Sequence, residues 1–267
     1  MSTDIRAIAF DFGDTLCPWG QDQYHHILDS ALARLHECAP QHDFETVRAA
    51  YNAVREADCA ANLPRLVEND LRDIYRRTFR ELGADPDEDR LDQVCDAHVA
   101  AFVDVSTRVP DGLLAMLDRL SSRYRLAVLS NYPIPECIKQ SVERIGLDRY
   151  MDAVLVSGDL GVIKPSRRIF GELLTALDLP PEQVLFVGDD WTADVVGARS
   201  SGMPCVYITN GRVNGDAWKT NNVYGIYMKK ALEMPEFTGW QEAQPSARLD
   251  SVLDLERYLE EHRHELP

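Results

Sequence analysis

The residues best equipped for chemistry in this chain are aspartates that follow short apolar runs. Ala7-Ile8-Ala9-Phe10 leads straight into Asp11, and the chain then turns at once through Gly13. Val184–Val187 leads into Gly188, Asp189 and Asp190, with Asp194 soon after. Carboxylates gathered in one place repel one another unless a proton or a cation lies between them, and a hard, all-oxygen set suits magnesium. Two other stretches add different groups. Leu126–Leu129 ends in Ser130-Asn131 ahead of a helix, where hydroxyl, amide and backbone N–H groups can hold an anion. Lys164, in Gly161-Val162-Ile163-Lys164-Pro165, places a positive charge before another helix. The combination suits phosphoryl transfer: aspartate attacks phosphorus, a metal offsets charge repulsion, and lysine and serine hold the phosphoryl oxygens.

Such groups work only if the elements carrying them meet. A short apolar run bounded by turn chemistry reads as a strand buried on both faces, as in parallel sheets. In open α/β sheets the reactive groups lie just past the carboxyl ends of the strands. The pattern predicts strands at Ala7–Phe10, Leu126–Leu129, Ala153–Val156, Val184–Val187 and Pro204–Ile208. Helical stretches alternate with them (Leu113 to Leu120, Pro135 to Ile145, Arg167 to Leu177, Thr192 to Ser200), which implies right-handed crossovers and a mostly parallel sheet. Between Leu16 and Val109 the periodicity is helical throughout. Stripes run along Ile27, Ala31, Leu35; Val47, Tyr51, Val54; Leu71, Ile74, Tyr75, Phe79; and Leu91, Val94, His98, Phe102. The fold class is therefore α/β, a Rossmann-like parallel core (1–16 and 109–267) with an all-helical insertion at 17–108. Leu249, Val252, Leu255 and Leu259 predict a last amphipathic helix. The stretch 210–246 mixes turn residues with aromatics and fits neither period.

Composition narrows the partners. At 267 residues and 45% hydrophobic the chain can bury a full core. A net charge of −16 argues against nucleic acid or an anionic membrane as partner, since both need a basic face. A phosphorylated small molecule would then need a locally positive site, such as a metal and a lysine. No apolar run has the length of a membrane span, and no basic-then-apolar signal opens the chain. The six cysteines lie far apart without a C-x-x-C pair and read as reduced thiols of a cytoplasmic protein. A homodimer stays open as an assembly.

The motifs resemble those of the haloacid dehalogenase superfamily of hydrolases. The first is Phe10-Asp11-Phe12-Gly13-Asp14-Thr15-Leu16, the second Leu129-Ser130-Asn131, and the third Lys164-Pro165 through Ile169-Phe170. The fourth is Val187-Gly188-Asp189-Asp190-Trp191-Thr192-Ala193-Asp194. Each alone is weak; the four in order, on the predicted elements, are specific. The resemblance implies that Asp11 is the nucleophile. It implies that Mg2+ is held by Asp11, the backbone carbonyl of Gly13, and Asp189, with Asp194 in or next to that set. Ser130, Asn131 and Lys164 would bind the transferred group, and the helical insertion would be a cap over the site.

One position departs from the pattern. Family phosphatases carry a second aspartate two residues after the nucleophile as general acid and base, whereas this chain has Gly13 there and Asp14 one step later. Asp14 can serve only if the turn re-aims it, because residues two apart at a strand end face one way and the next is turned aside. The leading expectation is a magnesium-dependent phosphomonoesterase working through an aspartyl-phosphate. A metal-free dehalogenase is disfavoured by the acidic fourth motif. Phosphonate cleavage through an imine is disfavoured because no lysine precedes Lys139. A catalytically impaired binding module is the reading from a different class. Trp19, Tyr24, His25 and His26 could pack or touch substrate, and Arg72, Arg76, Arg77 and Arg80 read as a solvated helix face.

Overall fold

A computed structural model of the chain describes residues 4–211 and 223–262. Strand β1 (Ala7–Phe10) is completely buried. Four helices follow: α1 (Gln21–Cys38), α2 (Phe44–Asn62), α3 (Leu71–Glu81) and α4 (Glu88–Val105). Three of them begin at an aspartate whose carboxylate accepts a backbone N–H of the first turn: Asp43 from Thr46, Asp70 from Asp73 and Asp87 from Arg90. Part of the chain's acidity is thus spent on starting helices, each such cap being worth about 1 kcal/mol. Arg72, Arg76 and Arg77 pair with Glu88, Asp92, Asp73 and Asp58 on the outer side of this group. These are the surface ion pairs expected of a solvated face, and they contribute little each.

The chain then builds α5 (Leu113–Ser121), β2 (Arg125–Ser130), α6 (Pro135–Ile145), β3 (Ala153–Val156), the short α7 (Ser157–Leu160) and α8 (Arg167–Leu177). β4 (Val184–Gly188) is followed by a π-helical turn at Trp191–Val196, α9 (Gly197–Ser200) and β5 (Cys205–Ile208). Two elements depart from the sequence pattern. The stretch that predicted only a terminal helix begins as a short strand, β6 (Ala247–Leu249), and the helix proper covers Leu255–Glu261. Leu249 pairs with Ile208, so sheet pairing outweighs its helical spacing to Val252 and Leu255. Within 210–246, residues 212–222 lie outside those described, and Val223–Ala231 is a helix.

The six strands form one parallel sheet in the order β3-β2-β1-β4-β5-β6. The chain moves outward from β1 through β2 to β3, then returns to the other side of β1 for β4. Register brings Phe10 beside both Val128 and Val187, so the carboxyl ends of β1, β2 and β4 lie level. Asp11 N–H donates to the Val187 carbonyl at 2.9 Å, extending the ladder one residue to Asp11. A break of direction at this point leaves a crevice beyond the strand ends. Among the described residues no helix is long and apolar enough to cross a membrane, and all six cysteines are free.

Candidate active site

The three aspartates predicted from strand ends do converge. Asp11, Asp189 and Asp194 each offer a carboxylate oxygen, and these atoms lie within 4.8 Å of one another. Lys164, only 1% exposed, donates from Nζ to Asp11 Oδ1 and to Asp194 Oδ1, both at 2.7 Å. Burial works against the charge on Lys164, but Asp11 and Asp194 outweigh it and hold the ammonium above the ordinary lysine range. Burial also displaces the Asp194 carboxyl upward, with Lys164 pulling the other way and Asp11 and Asp190 adding to the rise.

Backbone geometry explains how Asp194 reaches this cluster. Its Oδ2 accepts the Asp190 N–H at 2.9 Å, folding the side chain back against the end of β4. A Cβ on Gly188 would lie 2.2 Å from that same oxygen, so glycine is required for the approach. Asp190 instead caps the π-helical turn, accepting from Ala193 N at 2.8 Å. The Asn131 amide is spent on Lys164: Oδ1 accepts the Lys164 N–H at 2.8 Å and Nδ2 donates to the Lys164 carbonyl at 3.0 Å, while also reaching the Tyr224 hydroxyl at 3.2 Å. Ser130 is buried and lines the same cleft, where its hydroxyl can meet an anion.

Asp14 is placed differently. It adopts the left-handed conformation (φ 57°), which aspartate tolerates better than most residues. Its Oδ1 accepts the Trp19 N–H at 2.6 Å, and its own carbonyl accepts from Asn210 Nδ2 at 2.6 Å. Among the described residues that line the cleft, Gly13 is present and Asp14 is not. The turn thus uses Asp14 to fix the chain as it leaves β1 toward α1.

The cleft has a volume of about 420 Å³. Its floor is the strand ends; its opposite wall comes from α1 to α4. Trp19 and Tyr24 contribute to it, whereas His25 and His26 are exposed. Trp19, Phe102 and Tyr132 form an aromatic cluster, with ring centroids 4.7 Å apart for Trp19–Phe102 and 4.5 Å for Phe102–Tyr132. His98 stands behind them, its Nε2 at 2.7 Å from the Tyr132 hydroxyl and its Nδ1 at 2.8 Å from that of Tyr75. Burial lowers the His98 pKa to about 4, so the ring is neutral and one nitrogen must accept where the other donates. A third wall comes from Tyr224, Gly225, Met228 and Lys229 of the helix Val223–Ala231. That helix also packs Met228 and Ala231 in one apolar cluster with Cys59 and Leu63 of the helical insertion and Ile163 of the core. Sequence periodicity gave no hint of this wall. Nor did it single out Arg55, which lines the cleft one helical turn after Tyr51. A larger hollow of about 630 Å³ lies at the amino ends of β1 and β2, beside Arg6, Arg125 and Asp152, and contains none of the clustered aspartates.

With this geometry in place, residues 5–202 match the family model of haloacid dehalogenase-like hydrolases. The chain belongs to that family. Among its relatives is the glyceraldehyde 3-phosphate phosphatase of Methanopyrus kandleri, 28% identical over 216 residues that cover 78% of this chain and 85% of the relative. Among solved structures it is similar to the 2-haloacid dehalogenase of Pseudomonas syringae pv. Tomato, with a TM-score of 0.65 at 21% identity, covering 96% of this chain and 99% of that one. The HAD-hydrolase YfnB of Bacillus subtilis, solved bound to magnesium, has a TM-score of 0.60 at 17% identity, covering 97% and 100%. At these identities the structural likenesses speak for the fold.

Proposed function

We propose that this hydrolase is a magnesium-dependent phosphomonoesterase acting on a small phosphorylated molecule. The observation that carries the reading is the Asp11–Asp189–Asp194 cluster with a single buried lysine inside it. Three carboxylates gathered around one buried ammonium form an oxygen-rich set that suits a divalent cation. Oxygen donors spaced this way fit a small hard ion with ligand distances of about 2.0–2.1 Å. Asp11, the Gly13 carbonyl and Asp189 would hold the magnesium, with Asp194 beside them; the ion would supply charge neutralisation for the phosphoryl group. The naming of relatives as phosphatases points the same way.

In this reading Asp11 attacks phosphorus and becomes an aspartyl-phosphate, which water then hydrolyses. Lys164 holds one phosphoryl oxygen while fixing the Asp11 carboxylate in place, Ser130 donates its hydroxyl to another, and Asn131 positions Lys164 rather than touching substrate. Residues 17–108 act as a cap that excludes water from the strand ends, and the helix Val223–Ala231 closes the remaining side. With glycine at position 13 and Asp14 committed to the turn, no carboxylic acid of the first motif stands ready to protonate the leaving group. Turnover should therefore favour substrates whose leaving group departs readily. The test is a screen of phosphate monoesters with magnesium and with excess chelator. Hydrolysis that stops on chelation is expected. Release of halide from 2-haloacids, indifferent to chelator, would overturn the phosphomonoesterase reading in favour of dehalogenation.

A further inference from the structure

Arg55 differs from the arginines around it. Arg48 on the same helix reaches Asp29 at 2.8 Å, and Arg34, Arg72, Arg76, Arg77 and Arg80 each pair with an aspartate or glutamate. Arg55 has no carboxylate within ion-pair reach among the described residues, although the chain carries 44 acidic residues against 28 basic ones. It is half-buried and lines the same cleft as Asp11. Its guanidinium carbon lies 5.9 Å from the centre of the Tyr24 ring, at the outer limit of a cation–π contact, and Tyr51 precedes it by one turn. A guanidinium keeps its charge at any accessible pH, so withdrawing it from water without a counter-ion is costly unless something in the cleft answers it. The other buried cation of the cleft, Lys164, is already held by two carboxylates. The cleft that holds both cations is also lined by the rings of Trp19 and Tyr132, which are backed by the buried Phe102.

We propose that Arg55 receives a second anionic group of the substrate, a carboxylate or a second phosphate, separated from the reacting phosphate by a carbon skeleton that packs on Trp19 and Tyr132. This selectivity rests on the phosphomonoesterase reading for the reaction itself, but not for binding. A planar guanidinium is suited to both anions, since its paired N–H groups match two oxygens at once. The shared chemistry is therefore a bis-anion with an apolar middle.

The experiment compares matched ligands of increasing chain length: alkyl phosphates, ω-carboxyalkyl phosphates and α,ω-bisphosphates, each with the full chain and magnesium. At the matching length, kcat/KM should favour the bis-anion over the neutral-ended ester by about ten- to a hundredfold, the span expected of hydrogen bonds to a charged group. Arg55→Gln should collapse that ratio toward unity, and Arg55→Lys should keep part of it. Whether the carboxylate or bisphosphate series shows the larger ratio identifies the natural anion. Binding is read separately by calorimetry in Asp11→Asn and in Asp11→Asn combined with Arg55→Gln. A bis-anion preference in binding without turnover of any ester would defeat the phosphomonoesterase reading and leave this one standing. Turnover of neutral-ended and bis-anionic esters at equal kcat/KM for every length would defeat this one alone. So would an unchanged ratio in a folded Arg55→Gln protein, checked by its melting curve.

Discussion

At the strand ends Lys164 is bonded to two carboxylates and Asn131 holds the backbone of that lysine from both ends of its amide, whereas on the helical wall Arg55 stands over the Tyr24 ring. The first region is a closed network of charged groups at 2.7–3.0 Å, almost without water. The second is an apolar wall whose polar members are phenols, one neutral imidazole and one arginine. Fixed charges held by short bonds cannot adapt and suit a reaction centre that must not reorganise. Rings with one free charge can accept different shapes and suit selection. In the proposed function, chemistry and choice of substrate then fall to separate walls, one supplied by the sheet and the other by the helices between β1 and α5.

The sharpest break of that division is at Asp11. Asp11→Asn keeps the shape of the side chain but removes the nucleophile, so turnover should fall by roughly 10⁴-fold or more while the near-ultraviolet circular dichroism stays unchanged. Substantial remaining phosphatase activity would sink the covalent mechanism. Lys164→Met comes next. It leaves Asp11 and Asp194 buried and facing each other, and removing one partner of a buried ion pair costs about 3–5 kcal/mol. Turnover should drop by roughly 10²- to 10³-fold. Urea unfolding without and with magnesium separates the two effects: the stability loss should shrink when the metal is present, and a loss equal in both conditions would remove magnesium from this network.

How far these walls were legible in the sequence differs in the same way. Asp11, Ser130 and Asp189 could be read because an apolar strand must end where the polar groups begin, and Lys164 because it places a charge just before a helix. Asp194 was legible as part of the acidic cluster after β4, but its return onto Gly188 depends on a missing Cβ, which sequence alone shows as a glycine and nothing more. β6 escaped because Ala247-Arg248-Leu249 is a three-residue edge strand with Arg248 between two partly buried residues. Arg55 sits in Arg-Glu-Ala-Asp, which looks solvated. Its one clue is the four-residue spacing from Tyr51, an apolar-face residue, which puts both on one side of α2. The wall from Val223–Ala231 is non-local, built by packing against Cys59 and Leu63 far away in the chain, and no local period encodes it.

The apolar wall makes a prediction about pH that the charged wall does not. His98 is held neutral between Tyr75 and Tyr132, with its pKa lowered to about 4 by burial from 6.5. The unfolded chain binds a proton below about 6.5 and the folded chain only near 4, so this contribution is full above pH 6.5 and is lost as pH falls between the two values. Relative to His98→Gln, the wild type should lose up to roughly 3 kcal/mol across that window. Parallel stability curves for the two proteins between pH 6.5 and 4 would show that His98 is not neutral in the fold.

The smallest effect is expected at Asp14, which lies between the two walls and belongs to neither. Its Oδ1 holds the Trp19 N–H, and Trp19 in turn begins the aromatic wall. If that is its whole role, Asp14→Asn keeps an acceptor and should cost little. Asp14→Ala should lose about 1 kcal/mol of stability, as for other buried turn and cap acceptors. Turnover should then fall by the same factor on alkyl phosphates, which need a proton on the leaving oxygen, and on activated aryl phosphates, which do not. A loss confined to the alkyl esters would show instead that Asp14 reaches the leaving group and acts as the acid. The neighbouring glycine gives the converse test. A Cβ on Gly13 meets nothing within 4 Å and its φ is ordinary, so an aspartate fits there without strain. Gly13→Asp restores a carboxyl two residues after Asp11, at the spacing that faces the same way as the nucleophile. If the acid is absent from the natural chain, this substitution should raise alkyl phosphate turnover toward the roughly 10²- to 10⁴-fold that general acid catalysis supplies, and leave aryl phosphates nearly unchanged. No gain on alkyl esters would mean that another group, from the cap wall or the substrate, already provides the proton.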